Sequence, residues 1–400
     1  MTDGALSGIR VIDLTTVLMG PMATRMLGDH GADVIRVESL SGDSTRNGLP
    51  ARNPGMSGFS LNLQRNKRSL SIDLKHPRGH EIMLELVASA DVLVTNMRAA
   101  ALERLRLDAD HLRGLHPALI HCRANGFGSA GPYRDKAAYD DAIQAASGLA
   151  GLIGSARGRP DYVPVVMADK VAGLHIVQAV MAALLHCHNT GRGQTIEVPM
   201  FETMVAFNLV EHLRGAAFHP PEGPFGYGRL MSEFRRPVET ADGYMCLLPY
   251  TDANWRDFFE FVGQPEKFDD PRFSTHNARI EFVDDLYSLM GELSPTRTTA
   301  EWIAYCDSKS IPAAPVLDLA HLDDDPHLQE VELVQVREHP SEGGYRHVAD
   351  PVVYSDMSTE LRHFAPRLGE HTEEILTELG MGTSAIDGLE ADGIIVREAR

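Results

Sequence analysis

The chain is poor in cysteine. Only four cysteines occur among its 400 residues, at Cys122, Cys187, Cys246 and Cys306, and no two form a CxxC pair. Thiols so far apart form neither the disulfide framework of a small secreted domain nor the usual spacing of a zinc site. We therefore expect reduced thiols, no bound metal and a cytoplasmic location.

Basic residues are also scarce. Lys and Arg number 37 against 56 Asp and Glu, which gives a formal net charge of −19. A nucleic-acid-binding surface needs a net basic face, so this balance argues against DNA or RNA as a partner. A small anionic ligand stays compatible with it, because such a ligand needs only a local basic pocket.

Long apolar runs and targeting patterns are lacking as well. We find no stretch that approaches the roughly 18 apolar residues of a transmembrane helix. The N-terminal residues 1–4 do not show the basic and then apolar pattern of a signal peptide. We therefore expect no membrane partner.

The glycine-rich motifs of nucleotide-binding enzymes are missing. The turn at 15–21 contains no GxGxxG, and no GxxxxGK[ST] follows a predicted strand. Those glycines let the backbone approach a pyrophosphate, so their absence argues against a dehydrogenase or an ATPase. No GxSxG elbow supports a serine hydrolase either.

Strand and helix patterns alternate through the first half of the chain. Short apolar runs at 9–14, 34–37, 92–94, 119–122 and 195–198 predict strands, with helices between them that include a long apolar one from Asp169 to Asn189. This order predicts an α/β fold whose large domain is a doubly wound, Rossmann-like parallel sheet.

Composition changes in the second half predict a second domain. Residues 215–228 are rich in Gly and Pro and are typical of a linker. We expect a large α/β domain built from 1–214 and 326–400, and a small α+β domain with its return linker over 229–325. Two domains suit a chain too long for one core.

Two groups of polar residues carry ambiguous signals. The basic run at 65–68, together with Lys75, Arg98 and Arg104, could hold phosphates, although charge alone favours a solvated surface. Asp169 opens the long helix, where aspartate is a preferred N-cap. A carboxylate there is also open to a substrate, the helix N-terminus favours its ionised form, and it can attack an acyl group to form an anhydride.

Nine short motifs occur in an order typical of one family. They are GIRVIDL at 8–14, LGDHGADVIRVE at 27–38, NKRS at 66–69, DLK at 73–75, DVLVTN at 91–96, Tyr139-Asp140, Ala168-Asp169, TGRGQ at 190–194 and LGEHT at 368–372. Together they make the chain resemble the family III CoA-transferases, the CaiB/BaiF group. The resemblance implies an interlocked homodimer in which each chain threads through its partner.

The same resemblance implies a set of site residues. It makes Asp169 the nucleophile of a ping-pong CoA transfer, with coenzyme A and acyl-CoA as substrates and no permanently bound cofactor. It assigns contacts with CoA to Val17, Leu18 and Met19, to Ile72, Asp73, Leu74 and Lys75, to Asn96, Met97 and Arg98, to Arg104, and to the segment from Lys136 to Tyr139.

Racemases of 2-methylacyl-CoA are related to this family and carry out different chemistry. A racemase needs two bases, an aspartate at the Asp169 position and the histidine of a His-Asp pair. The matching pair here is Tyr139-Asp140, and tyrosine is too weak a base at neutral pH. We therefore favour transfer, with a racemase-like isomerase and a non-catalytic CoA-binding protein as the alternatives.

The chain departs from the formyl-CoA:oxalate members of the family. Leu18 and Ser39 replace a glutamine and a basic residue, and the glycine-rich lid has no counterpart beyond residues 223–228. Three arginines could instead clamp a second carboxylate, which suggests a dicarboxylate donor such as succinyl-CoA: Arg229, Arg235 and Arg236. Pairing of these arginines with surface acids is equally compatible with the sequence.

Overall fold

The computed structural model describes residues 4–398. Most of the N-terminal segment used above to look for a signal peptide, residues 1–3, lies outside them. The strands are β1 (Arg10–Leu14), β2 (Asp33–Glu38), β3 (Lys67–Ile72), β4 (Val92–Thr95), β5 (Ile120–Asn125), β6 (Thr195–Pro199), β7 (Val238–Glu239), β8 (Tyr244–Leu247), β9 (Ala313–Pro315), β10 (Val334–His339), β11 (Gly343–Val348) and β12 (Ile395–Val396).

The α-helices are α1 (Met19–Asp29), α2 (Gly58–Leu63), α3 (Pro77–Ala88), α4 (Ala99–Arg104), α5 (Ala109–Leu115), α6 (Asp140–Ala146), α7 (Leu149–Arg157), α8 (Met167–Thr190), α9 (Met200–His212), α10 (Gly228–Met231), α11 (Asp252–Phe261), α12 (His276–Glu281), α13 (Val283–Leu293), α14 (Thr299–Lys309), α15 (Pro326–Glu330), α16 (Thr372–Glu378) and α17 (Thr383–Ala391). Short 3-10 helices lie at Ser44–Asn47, Arg214–Ala217, Pro265–Asp269, Ser294–Thr296 and Leu319–Asp324.

A central sheet confirms the predicted α/β fold. Its strands lie in the order β12-β3-β2-β1-β4-β5-β6. All neighbours pair in parallel except β12, which runs antiparallel to β3. The chain winds outward in one direction through β1, β2 and β3 and in the other through β4, β5 and β6. The point between β1 and β4 is therefore the topological switch point, where open α/β sheets bind their ligands.

The basic run at 65–68 is buried, so both earlier interpretations of it, a phosphate site and a solvated surface, are wrong. Lys67 begins β3, a strand that the sequence did not predict, and it is fully buried. Its Nζ lies 2.9 Å from Asp13 Oδ2 on β1, and Arg65 Nη2 lies 2.9 Å from Asp29 Oδ2. Buried charges persist only when they are paired, and acids on neighbouring elements supply the pairs here.

Helix α8 carries Asp169 and is apolar on every side. It is long and apolar enough to cross a membrane by length and composition alone. The expectation that no stretch comes near that composition was therefore wrong. One such helix is weak evidence for a membrane span, because core helices share this composition, and α8 packs against α1, α6 and β5.

The chain divides into two compact units. The first comprises the chain up to Ser147, Val163–Val205 and the chain from Pro326, and it contains the central sheet and the β10–β11 hairpin. The second comprises Gly148–Tyr162 and Ala206–Asp325, with the antiparallel sheet β7-β8-β9. The return to the first unit falls at residue 326, and the second unit includes residues 148–162 and 206–214 as well as the residues after them.

Each unit has its own apolar core. In the first, side chains from the middle of the sheet are fully buried, among them Ile12, Ile35 and Leu93. In the second, aromatic residues dominate, and the Phe258 and Trp302 rings stack with their centroids 5.7 Å apart.

Candidate active site

Asp169 lies in the first turn of α8 but is not its N-cap, which corrects the sequence-based interpretation. The N-cap is Val166, which makes no side-chain capping bond. Asp140, on α6, supplies the cap instead: its Oδ1 accepts a hydrogen bond of 3.0 Å from the backbone N–H of Asp169. The side chain of Asp169 is therefore not used for capping and is free for another role.

The neighbour Gln144 fixes this arrangement. Its Nε2 donates to Asp140 Oδ2 at 2.5 Å and to the carbonyl oxygen of Val165 at 3.2 Å, and its Oε1 accepts from the N–H of Val163 at 3.0 Å. Asp140 and Gln144 are both buried. They attach the segment leading into α8 to α6, a role that the sequence pattern did not reveal.

The Asp169 carboxylate is half-buried and unpaired. Within residues 4–398, no side chain forms an ion pair or a hydrogen bond with its oxygens. Burial, with a smaller contribution from the Asp140 carboxylate, raises the pKa of Asp169 to about 6. The helix N-terminus was expected to keep this group strongly ionised. That effect amounts to roughly 0.3–1 kcal/mol, whereas a shift of about two pKa units corresponds to roughly 3 kcal/mol.

The start of α1 contacts the face of α8 that carries Asp169. A Cβ on Gly173 would lie only 3.0 Å from the carbonyl oxygen of Met19, so α8 and the start of α1 touch at this glycine. Asp169 and Gly173 are four residues apart and therefore share a face of α8. The carboxylate thus lies one turn from this contact, on the side of the β1–α1 loop.

The segment after β4 completes the same edge of the sheet. The side chain of Asn96 accepts from the N–H of Thr16 at 3.0 Å and donates to the carbonyl oxygen of Thr16 at 2.9 Å. Two of the predicted CoA-binding segments, 17–19 and 96–98, are therefore adjacent and flank the switch point. This is the crevice in which the fold is expected to hold a ligand.

The remaining predicted CoA-binding residues are more dispersed. Ile72 is buried at the end of β3, Asp73 and Leu74 are partly buried after it, and Met97 is partly buried against the core. The exposed members of the set are Lys75, Arg98, Arg104, Lys136 and Tyr139, and Lys136 Nζ lies 3.7 Å from the centroid of the Tyr133 ring. The exposed members lie where a ligand could reach them.

The three arginines of the predicted carboxylate clamp belong to the second unit and differ in environment. Arg229 lines a cleft with Trp255, His276 and Tyr287, and its Nη1 lies 3.4 Å from Tyr287 Oη. Arg235 and Arg236 are exposed. Arg229 is therefore the one held against other side chains.

The described part of the chain contains no group of three or more His, Cys, Asp or Glu side chains arranged to hold a metal ion. His121, on β5, is buried, and its Nε2 lies 3.0 Å from the carbonyl oxygen of Leu107.

Comparison with known proteins agrees with these features. A family model described as CoA-transferase family III matches residues 6–372. A succinate–glutarate CoA-transferase from Agrobacterium fabrum is 32% identical over 94% of this chain and 95% of its own length. A formyl-CoA:oxalate CoA-transferase from Streptomyces avermitilis is 32% identical over 98% of this chain and 99% of its own. The crystal structure of a CaiB/BaiF family protein from Brucella suis matches with a TM-score of 0.80 and 29% identity, covering 94% of this chain and 100% of that one.

Proposed function

The chain belongs to CoA-transferase family III, and on this premise we propose that it moves CoA from an acyl-CoA donor to a carboxylic acid by a ping-pong mechanism through Asp169. The family uses CoA thioesters as substrates. The observation that carries the proposal is the half-buried Asp169 carboxylate, which lies on the face of α8 that contacts the start of α1 and has no side-chain partner within residues 4–398.

The proposed reaction begins with attack on the donor thioester. A carboxylate oxygen of Asp169 bonds to the thioester carbonyl carbon, the carbon–sulfur bond breaks, and CoA leaves as the thiolate. The thiolate then attacks the aspartyl carbonyl carbon of the mixed anhydride. This releases the donor acid as its carboxylate and leaves CoA as an aspartyl thioester on Asp169.

The second half repeats these steps in reverse with the acceptor. Its carboxylate attacks the aspartyl thioester and displaces the CoA thiolate, which forms a second anhydride. The thiolate then attacks the acceptor's acyl carbon, and Asp169 leaves as a free carboxylate. No proton is transferred at any step, so the mechanism needs an ionised Asp169 and no general base. A carboxyl group with a pKa of about 6 is mostly ionised at neutral pH and more nucleophilic than an ordinary one.

We propose that CoA occupies the edge of the sheet that carries the loops after β1, β3 and β4. The residues are those implied by the resemblance: Val17–Met19, Ile72–Lys75, Asn96–Arg98, Arg104 and Lys136–Tyr139. The burial of Ile72 restricts it to contacts through its backbone. The exposed cations Lys75, Arg98 and Arg104 suit the phosphates of CoA.

For the acyl group we propose a small dicarboxylate such as the succinyl group. A relative at 32% identity is named as a succinate–glutarate CoA-transferase. The clamp residues proposed for the distal carboxylate are Arg229, Arg235 and Arg236. If Arg229 binds it, Arg229→Ala will raise KM for succinyl-CoA about tenfold or more and leave KM for butyryl-CoA, of equal chain length, nearly unchanged. An equal change for both donors would exclude the clamp.

The exchange of labelled succinate into succinyl-CoA without a second acid tests the mechanism, because the first half-reaction releases the donor acid and leaves CoA on Asp169. Wild type should catalyse this exchange, and Asp169→Asn should reduce it by about a thousandfold or more. Asp141→Asn, which alters an exposed carboxyl next to Asp140, is the matched control and should retain it. Hydroxylamine should convert the acylated enzyme into a hydroxamate that peptide mass spectrometry locates at Asp169. Full exchange in Asp169→Asn would refute the mechanism.

The same samples separate the two alternatives. A racemase-like isomerase would incorporate deuterium from D2O at the α-carbon of a 2-methylacyl-CoA, without exchange of labelled acid into the acyl-CoA. A non-catalytic CoA-binding protein would bind CoA and do neither.

We also propose that the enzyme is a homodimer, as the resemblance implies. An all-round apolar helix is normally buried, yet α8 exposes about half of the Leu174 side chain and 62% of Leu185. In α9, Val210 is 84% exposed. A partner chain would remove these side chains from water.

A further inference from the structure

Val17 adopts an unusual backbone conformation in the loop that leads into α1. Its φ angle is +67°, in the left-handed region that β-branched residues avoid. Val17 directly precedes Leu18 and Met19, which lead into α1 against the Gly173 face of α8. An isolated chain would leave this conformation, so contacts in the fold must hold it.

Two side chains hold the loop at Val17. The backbone N–H of Val17 donates to Asp43 Oδ2 at 2.9 Å. The preceding peptide, at Thr16, is held by its two hydrogen bonds with Asn96. Asp43 is thus the side chain that binds the strained residue itself.

Asp43 is fixed in turn by the buried ion pairs of the sheet. Its Oδ2 lies 2.8 Å from Arg36 Nη2, and its Oδ1 accepts from the N–H of Thr45 at 2.8 Å. Asp43 is 4% exposed and Arg36 is fully buried. Arg36 also contacts Glu38 at 3.3 Å and Asp13 at 3.7 Å. The Asp43 carboxylate therefore has little conformational freedom, and it holds the loop at Val17 in a fixed position relative to the sheet.

We infer that Asp43 is a positioning residue, which holds Val17–Met19 in the conformation that receives the acyl-CoA. This inference rests on the proposed function, because it takes that loop to be part of the CoA site. Asp43 does not touch the reacting atoms. Its removal should weaken CoA binding because Val17 can then return to a negative φ and displace the loop.

The test combines Asp43→Asn, Val17→Gly and the double variant, since glycine adopts a positive φ without a tether. Asp43→Asn should raise KM for the acyl-CoA donor, and the Kd of CoA itself, about tenfold, with kcat and the acceptor KM changing less than threefold. The double variant should bind CoA within about threefold of Val17→Gly alone, because the tether is needed only by valine. Hydrogen exchange of the peptide over residues 15–22 should be faster in Asp43→Asn and unchanged by that substitution in the Val17→Gly background.

Asp29→Asn is the matched control. Asp29 is also buried and paired with an arginine, but it lies at the far end of α1. It should lower the melting temperature as Asp43→Asn does without raising the Kd of CoA. The inference is wrong, and Asp43 merely structural, if Asp43→Asn raises the Kd of CoA as much in the Val17→Gly background as in wild type. It is also wrong if Asp29→Asn weakens CoA binding equally. If wild type does not turn over, the proposed function fails, while the Kd and the hydrogen exchange still decide the inference.

Discussion

The Asp169 carboxylate differs from the paired, buried aspartates of the central sheet, because it has no side-chain partner within residues 4–398. Asp13 contacts Lys67, Asp29 contacts Arg65 and Asp43 contacts Arg36, so their charges serve the fold. The Asp169 carboxylate is instead subject to burial and to the like charge of Asp140, and both raise its pKa. A carboxylate in that position weakens the folded state, which is the behaviour expected of a reactive group rather than a structural one.

The first consequence of that position is a stability gain in Asp169→Asn. The unfolded carboxyl titrates near its ordinary pKa of about 4, whereas burial raises the pKa of the folded group to about 6. Between these values the folded state binds more protons, so the free energy of unfolding falls as pH rises through this window. The amide variant should therefore be more stable than wild type by about 1–3 kcal/mol at pH 8, and by less at pH 5.

Urea denaturation followed by circular dichroism at both pH values measures this difference. Asp141→Asn, at an exposed position, should change neither midpoint appreciably. If Asp169→Asn is inactive and also less stable than wild type at pH 8, the conclusion that Asp169 carries an uncompensated charge is contradicted.

The second consequence is an acid limb in the pH profile. Transfer needs an ionised Asp169, so kcat/KM should fall about tenfold for each pH unit well below 6 and level off above 7. Asp140→Asn removes the neighbouring charge but retains an oxygen that can cap α8, so it should move the limb to lower pH. Initial rates from pH 5 to pH 8 decide this, and a wild-type profile that stays flat down to pH 5 would disagree with the burial of Asp169.

At the scale of elements, β3 shows that charged residues can obscure the sequence pattern by which a buried strand is predicted. Its sequence, KRSLSI, has two basic residues at one end and serines within it. Apolar periodicity cannot recognise such a strand, because its interior positions are satisfied by ion pairs on β1 and β2. The other parallel strands are apolar runs, and the sequence predicted each of them. The missed element is therefore the one whose burial depends on partners from distant segments.

Lys67 should be essential to that strand. Within residues 4–398, Lys67→Met would leave the buried Asp13 with Arg36, at 3.7 Å, as its only ionic partner, and breaking a buried pair costs about 3–5 kcal/mol. The double variant Lys67→Met with Asp13→Asn should recover part of this loss, because the unpaired charge is gone. Thermal unfolding measures both, with the exposed Lys75→Met as a control that should stay within about 0.5 kcal/mol. Equal stability of Lys67→Met and wild type would show that the pair is dispensable.

At the scale of the whole molecule, the proposed homodimer gives a further prediction. Analytical ultracentrifugation should give twice the chain mass of 43.9 kDa. Placing a charge in a buried interface is strongly unfavourable, so Leu185→Glu and Val210→Glu should each shift the protein toward monomer. Leu115→Glu, also at an exposed apolar side chain but at the end of α5, is the matched control. A monomeric wild type would contradict the proposal.

The sequence by itself determined the alternation of strands and helices, the family, and the choice of Asp169. These features follow from local patterns, namely apolar runs and short motifs, which can be interpreted without knowing which groups lie nearby in the folded chain. Only the tertiary structure decided that Asp140 caps α8, that burial raises the pKa of Asp169, that the basic run at 65–68 is internal, and that Asp43 holds Val17. Each of these depends on groups far apart in the chain, because burial and ion pairing are properties of the folded neighbourhood and not of a residue's own segment.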